Sequence, residues 1–116
     1  MPGRIIDTVA AQIANVTLPA PVTEVAVLTS PVTRIGTYAR VSFCIEYSSG
    51  GDHGFLLRRG TDTTGTLLTS SGPGVDLLHK TYVDTAPVSQ YTLTTFGDSS
   101  EADTALFINI TVDQID

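Results

Sequence analysis

Tryptophan is absent from this chain, and cysteine, methionine and lysine each occur once. The lone Cys44 excludes an internal disulfide and a thiolate metal cluster. Within a strand pattern it reads as a small buried hydrophobe. Basic side chains are scarce as well: Lys+Arg number 6 against 12 acidic residues, for a net charge of -6. No basic stripe exists to displace counterions from nucleic acid or to hold an anionic membrane surface. No apolar run approaches the roughly 18 residues of a membrane span. The N-terminal stretch is cut by Asp7 and Gln12 and does not read as a secretory signal. Neither nucleic acid nor membrane is expected as a partner, and the producer's cytoplasm is the expected place of folding.

What the chain does contain is alternation. Ala39, Val41, Phe43, Ile45 and Tyr47 take every second position between Arg40, Ser42, Cys44 and Glu46. Leu106, Ile108, Ile110 and Val112 alternate in the same way with Phe107, Asn109, Thr111 and Asp113. Successive strand side chains point to opposite faces, so each segment buries one face and frees the other. A chain of 116 residues is one domain. The predicted strands are Thr23–Leu28, Thr37–Tyr47, Phe55–Arg59, Thr66–Ser70, Val75–Val83, Val88–Phe96 and Thr104–Ile115, with Val32–Gly36 a short turn or edge piece after the first. Turn residues separate them at sandwich-like intervals, and no helix long enough for a parallel crossover intervenes. The expected fold is all-β, an antiparallel β-sandwich or jelly roll of about eight strands.

The first residues read differently. Ile6, Val9, Ala10 and Ile13 fall at helical spacing, which predicts one or two amphipathic turns. A helix this short is marginal alone, and Pro19 and Pro21 then impose an extended connector. Residues 1–21 are expected to form an N-terminal arm and connector, and residues 22–116 the sandwich.

Candidate chemistry is thin. Gly60 to Thr66 has the glycine spacing of a phosphate loop but lacks its lysine and a following helix, so it reads as a turn. His53 beside Asp52 is one His–Asp pair, where a zinc site wants three or four ligands. The loop carboxylates Asp98, Glu101 and Asp103 could hold calcium but read first as a polar hairpin tip. Of Arg58 and Arg59, alternation lets one face solvent, while the other is expected in an ion pair. No Gly-x-Ser-x-Gly elbow is present. The expectation is a protein with no catalytic residues, no metal and no cofactor. More informative are Tyr38, Cys44, Leu56, Tyr82 and Phe107, which fall out of phase with the core residues of their strands. Gathered on neighbouring strands, they would form an apolar patch suited to contact between identical chains.

Val41 to Tyr47, Phe55 to Thr61, Tyr91 to Leu93 and Ala105 to Val112 together resemble the tumour necrosis factor-like jelly roll, particularly its small phage versions. That resemblance implies trimers packed about a threefold axis, and in phage capsid decoration (cement) proteins, trimers with an N-terminal arm reaching a neighbour. The reading it supports is a non-enzymatic virion protein on the capsid exterior. It would be a homotrimer that binds the major capsid protein, with Ile5, Ile6, Val9 and Ile13 as arm anchors and Tyr38, Tyr82 and Phe107 as trimer contacts. The rival reading is a receptor- or glycan-binding head of a tail fibre, against which the lack of Trp counts.

Overall fold

The computed structural model describes residues 3–18, 24–47, 53–71, 77–97 and 103–116. They form strands β1 (Ile5–Leu18), β2 (Val25–Thr29), β3 (Tyr38–Tyr47), β4 (His53–Arg59), β5 (Leu67–Ser71), β6 (Leu77–Asp84), β7 (Tyr91–Gly97) and β8 (Asp103–Ile115). Two four-stranded sheets result, β1-β8-β3-β6 and β2-β7-β4-β5. All pairings are antiparallel. The chain changes sheet at each connection except the β4–β5 hairpin, which is jelly-roll winding. The all-β expectation therefore stands.

The core is where alternation placed it. Val41, Phe43 and Ile45 of β3 and Ile108, Ile110 and Val112 of β8 meet Phe55, Leu57, Tyr91 and Leu93 of the facing sheet, all at 0 % exposure. Truncating one such side chain, Phe43 for instance, removes apolar contact on every side and costs about 3–5 kcal/mol.

Two expectations need correction, and one open reading is resolved. The N-terminal segment is not helical and does not stand apart from the sandwich: β1 pairs with β8 from Ile5↔Ile115 to Leu18↔Asp103. Val9 and Ile13 fit both periods, and the inner row of β1 is Val9, Ala11 and Ile13, packed on the core. A two-turn helix has little cohesion of its own, whereas the ladder to β8 satisfies one backbone edge over the whole segment. The described part of the predicted arm, 3–18, thus lies in and beside the sheet. Secondly, residues 32–36, which the sequence leaves as a turn or an edge piece, form no strand but a connector running along β8. Thr37 N–H donates to the Ile115 carbonyl at 2.8 Å, and Gly36 N–H to Gln114 Oε1 at 3.0 Å. Asp7 Oδ2 accepts from Arg34 N–H at 2.9 Å.

Thirdly, Leu106 leaves the core. The β3–β8 register shifts between Glu46↔Phe107 and Tyr47↔Ala105, giving β8 one extra residue. That bulge turns Ala105 inward at 0 % and Leu106 outward at 39 %. On β1 the matching change occurs at Asn15, whose φ of 53° is left-handed. Asn tolerates this conformation better than most side chains. Ala14 and Asn15 are both exposed, and Val16 and Leu18 return to the core.

One end of the sandwich is tied by polar groups. Arg59 Nε and Nη2, at the end of β4, donate to Asp84 Oδ2 and Oδ1, at the end of β6, at 2.9 and 2.6 Å. Tyr91 Oη donates to Asp84 Oδ2 at 2.9 Å and Ala86 N–H to Oδ1 at 2.9 Å. Burial pushes the Asp84 carboxyl up, but these donors outweigh it and hold it below its usual range. Burial, reinforced by the adjacent carboxylate, raises the Tyr91 phenol. Gln114, fully buried, donates to Thr33 Oγ1 at 2.9 Å and to the Val88 carbonyl at 2.8 Å.

Candidate interaction surfaces

The outer face of the β1-β8-β3-β6 sheet is built in cross-strand rows fixed by the register. Val83, Arg40, Asp113 and Thr8 form one row, and Thr81, Ser42, Thr111 and Ala10 the next. His79, Cys44, Asn109 and Gln12 follow, and then Glu46, Phe107 and Ala14. The charges sit toward the margins. Arg40 donates to Asp113 at 2.8 Å, and the Thr8 hydroxyl donates to the same carboxylate at 2.8 Å. The Ser42 and Thr81 hydroxyls share a hydrogen bond of 3.1 Å. Between these ends lies a broad surface of small and amide side chains, with the His79 imidazole at its β6 margin and no carboxylate, Lys or Arg, on a chain of net charge -6. Depletion of charge is the compositional mark of an interface centre.

The residues expected to line a trimer contact divide. Tyr38, half-buried, heads β3 in the outward phase, and Phe107 stands half-buried on the outer face opposite Glu46 and Ala14. Tyr82 faces the other way. It pairs with the fully buried Val41 and packs against the core, because the inward phase of β6 is Leu78, Lys80, Tyr82 and Asp84. Leu56 belongs to the other sheet and is 8 % exposed. Cys44 is half-buried on the outer face opposite His79, not in the core. Of the arm anchors, Val9 and Ile13 pack on the core, Ile6 lies at a register shift, and Ile5 remains 49 % exposed. Near Ile5, the connector that Asp7 holds carries Val32 and Ile35 at 66 and 56 % exposure. Sequence reasoning does not single these two out, because it reads 32–36 only as a short turn or edge piece.

On the outer side of the other sheet, Arg58 makes a second bidentate pair. Its Nε and Nη2 donate to Glu24 Oε2 and Oε1 at 2.6 and 2.8 Å, and its Nη1 to the Gly65 carbonyl at 2.8 Å. The Thr94 hydroxyl donates to Glu24 Oε2 as well. These bonds, that from Arg58 foremost, hold the Glu24 carboxyl below its usual range. Both arginines are therefore paired, one on each face of the sheet. Residues 60–66 form the β4–β5 turn, closed by Thr64 N–H donating to Asp62 Oδ1 at 2.9 Å. A Cβ at Gly65 would meet the Arg59 carbonyl oxygen at 1.7 Å, so packing explains that glycine.

Among the described residues no group of three or more His, Cys, Asp or Glu side chains could hold a metal ion. Asp52, Asp98 and Glu101 lie outside the described residues.

No family model and no curated protein matches the sequence. Solved structures do match in fold. A subunit of the disulfide-linked pili that form Bacillus endospore appendages aligns at TM-score 0.55 and 14% identity, over 99% of this chain and 93% of that one. The protein FlhE aligns at TM-score 0.58 and 10% identity, over 93% and 96%. The VP2 subviral particle of infectious bursal disease virus gives TM-score 0.59 and 11% identity, over 96% of this chain and 34% of that one. Identities this low establish a shared jelly-roll fold.

Proposed function

We propose that this protein is a non-enzymatic structural subunit of a virion, a homotrimeric decoration (cement) protein that binds and stabilises a phage head. The observation that carries the reading is the outer face of the β1-β8-β3-β6 sheet, uncharged at its centre on an acidic chain and flanked by Tyr38 and Phe107. Three such faces meeting at a threefold axis would cover Phe107 and the surrounding small side chains. The capsid footprint moves from a detached arm to the tied end, where Ile5, Val32 and Ile35 are exposed. One trimer would offer three such patches, and three modest contacts acting together at high effective concentration give a tight cap. The pilus and capsid proteins of the same fold are compatible with a building role.

The test is mass in solution followed by co-sedimentation. The wild type is expected to sediment as a multiple of three 12.2 kDa chains. Phe107→Glu should dissociate the trimer, and Val32→Asp with Ile35→Asp should leave it trimeric but free of phage heads. A Phe107→Glu chain with unchanged mass would overturn the trimer. Phe96 favours a second reading, a receptor- or glycan-binding head. Its ring is 44 % exposed on the outer side of the other sheet, and its Cε1 would lie 3.4 Å from a Cβ at Gly54. Glycan-array binding abolished by Phe96→Ala would favour it.

A further inference from the structure

The two edges of the β1-β8-β3-β6 sheet are unequally protected. β6 ends the sheet on one side, and there Lys80 Nζ donates to the Ser70 carbonyl of β5 at 2.8 Å, spanning the gap between the sheets. An inward-phase lysine on an edge strand is a recognised guard against pairing with another chain. The cross-strand row that holds Lys80 continues through Phe43 and Ile110 and ends on β1 at Ala11. At that end no described side chain guards it. Among the described residues β1 pairs with β8 alone, so alternate residues direct N–H and C=O groups to a free edge. From Thr8 to Thr23 the sequence has no charged side chain, and from Ile5 to Leu18 no proline. The inner residues Val9, Ala11 and Ile13 are only partly covered, because the facing strand β2 has 5 residues against 14 in β1.

We propose that this free edge pairs antiparallel with β1 of a second copy, about a twofold axis through Ala11. The run from Thr8 to Ala14 is self-complementary in that register. Val9 meets Ile13 of the second copy, Ala11 meets Ala11, Ala10 meets Gln12, and Thr8 meets Ala14. Apolar residues oppose apolar ones on the inner face, and no like charges oppose each other anywhere. The register is pinned because a slip of one residue would set the inner side chains of one copy against the outer ones of the other. The irregularities at Ile6 and Asn15 delimit the regular run. Charge selects the occupant: two chains of net charge -6 repel over most of their surfaces, and this neutral edge, like the centre of the outer face, is a place where a second copy meets no carboxylate. A twofold edge contact leaves the outer face free, so it would link trimers and not compete with them.

Ala11→Lys gives β1 the guard that β6 already has, with a side chain long enough to reach solvent. Sedimentation should show the twofold contact weakened about tenfold or more, since it sets lysine against lysine on the axis. Mixing Ala11→Lys with Ala11→Glu chains should restore it. In a Cys44→Ser background, Ala11→Cys should cross-link to itself under mild oxidation, while Thr17→Cys, off the axis, should not. Circular dichroism checks that each variant is folded. An Ala11→Cys chain that stays a free thiol, together with an Ala11→Lys chain that sediments like the wild type, would overturn the proposal, whether β1 is then unpaired or taken by a different strand. Phe107→Glu reads the threefold face separately, so either contact can fail without the other.

Discussion

Arg58 and Arg59 are neighbours in the chain, and each holds a carboxylate with two nitrogens, yet they close different regions. Arg59 ties the two sheets together from inside, its partner Asp84 being 0 % exposed and further bound by Tyr91 and Ala86. Arg58 lies on the outer side of one sheet, where its side chain and that of Glu24 are 17 and 22 % exposed. The same fork geometry thus does two jobs. Inside, it satisfies a charge that has no other solvent; outside, it braces the segment before β2 against a sheet that would stand without it. What differs is the cost of taking the pair apart, because water can replace a partner only where water reaches.

The largest effect expected from breaking that contrast is Asp84→Asn. The amide keeps the shape but leaves the Arg59 guanidinium without its counter-charge. Removing one member of a buried pair costs about 3–5 kcal/mol, and Arg59, 26 % exposed, places this case near about 3. Urea denaturation would show a lower midpoint with an unchanged slope. Acid should act next. Both carboxyls titrate below their usual range in the folded chain. As pH falls through about 4, the unfolded chain binds protons that the folded one refuses. Stability is then full above about pH 4 and lost as pH drops through the depressed folded values. The Asp84→Asn chain should show a flatter denaturation midpoint between pH 5 and 2. An equally steep decline would assign acid sensitivity to other groups. Glu24→Gln, on the wetter side, should cost about 1 kcal/mol, and it retains a partner for Thr94.

Much of this architecture was written in the alternation. Val41, Phe43 and Ile45 are core residues because the pattern is strict and the strand lies between two others, leaving no rival arrangement. The ion pairs were half legible: alternation separates Arg58 from Arg59, but Glu24 and Asp84 are 34 and 25 residues away, and nothing local names them. Leu106 went astray because a bulge is a property of two strands, and only the register against Glu46 and Tyr47 reveals it. Tyr82 reads from the sequence as outward-facing because Leu77 and Leu78 are both apolar, so β6 alone does not state its phase. β1 failed for a further reason. Val9 and Ile13 satisfy a helix and a strand equally, and the choice belongs to β8, about a hundred residues downstream. The outer face was least legible of all, since a patch exists only once four strands are ordered side by side.

The smallest effect belongs to a third arginine–carboxylate pair. Arg40 donates through Nε and Nη2 to Asp113 Oδ2 at 3.2 and 2.8 Å, on the outer face, with its side chain 47 % exposed. Unlike the other two it reaches one carboxylate oxygen only, Oδ1 being taken by Thr8, and its charge is already half in water. Exposed pairs contribute about 0.2–1 kcal/mol, less once salt screens them. Arg40→Gln should therefore shift the folding midpoint of the isolated chain by less than about 0.5 kcal/mol, and by less still in high salt. A loss as large as that from Asp84→Asn would refute burial as the source of the contrast. If the outer face is covered in an assembly, the same substitution should weaken association far more than folding. Comparing unfolding and sedimentation on one variant then separates what Arg40 does for the fold from what it does between chains.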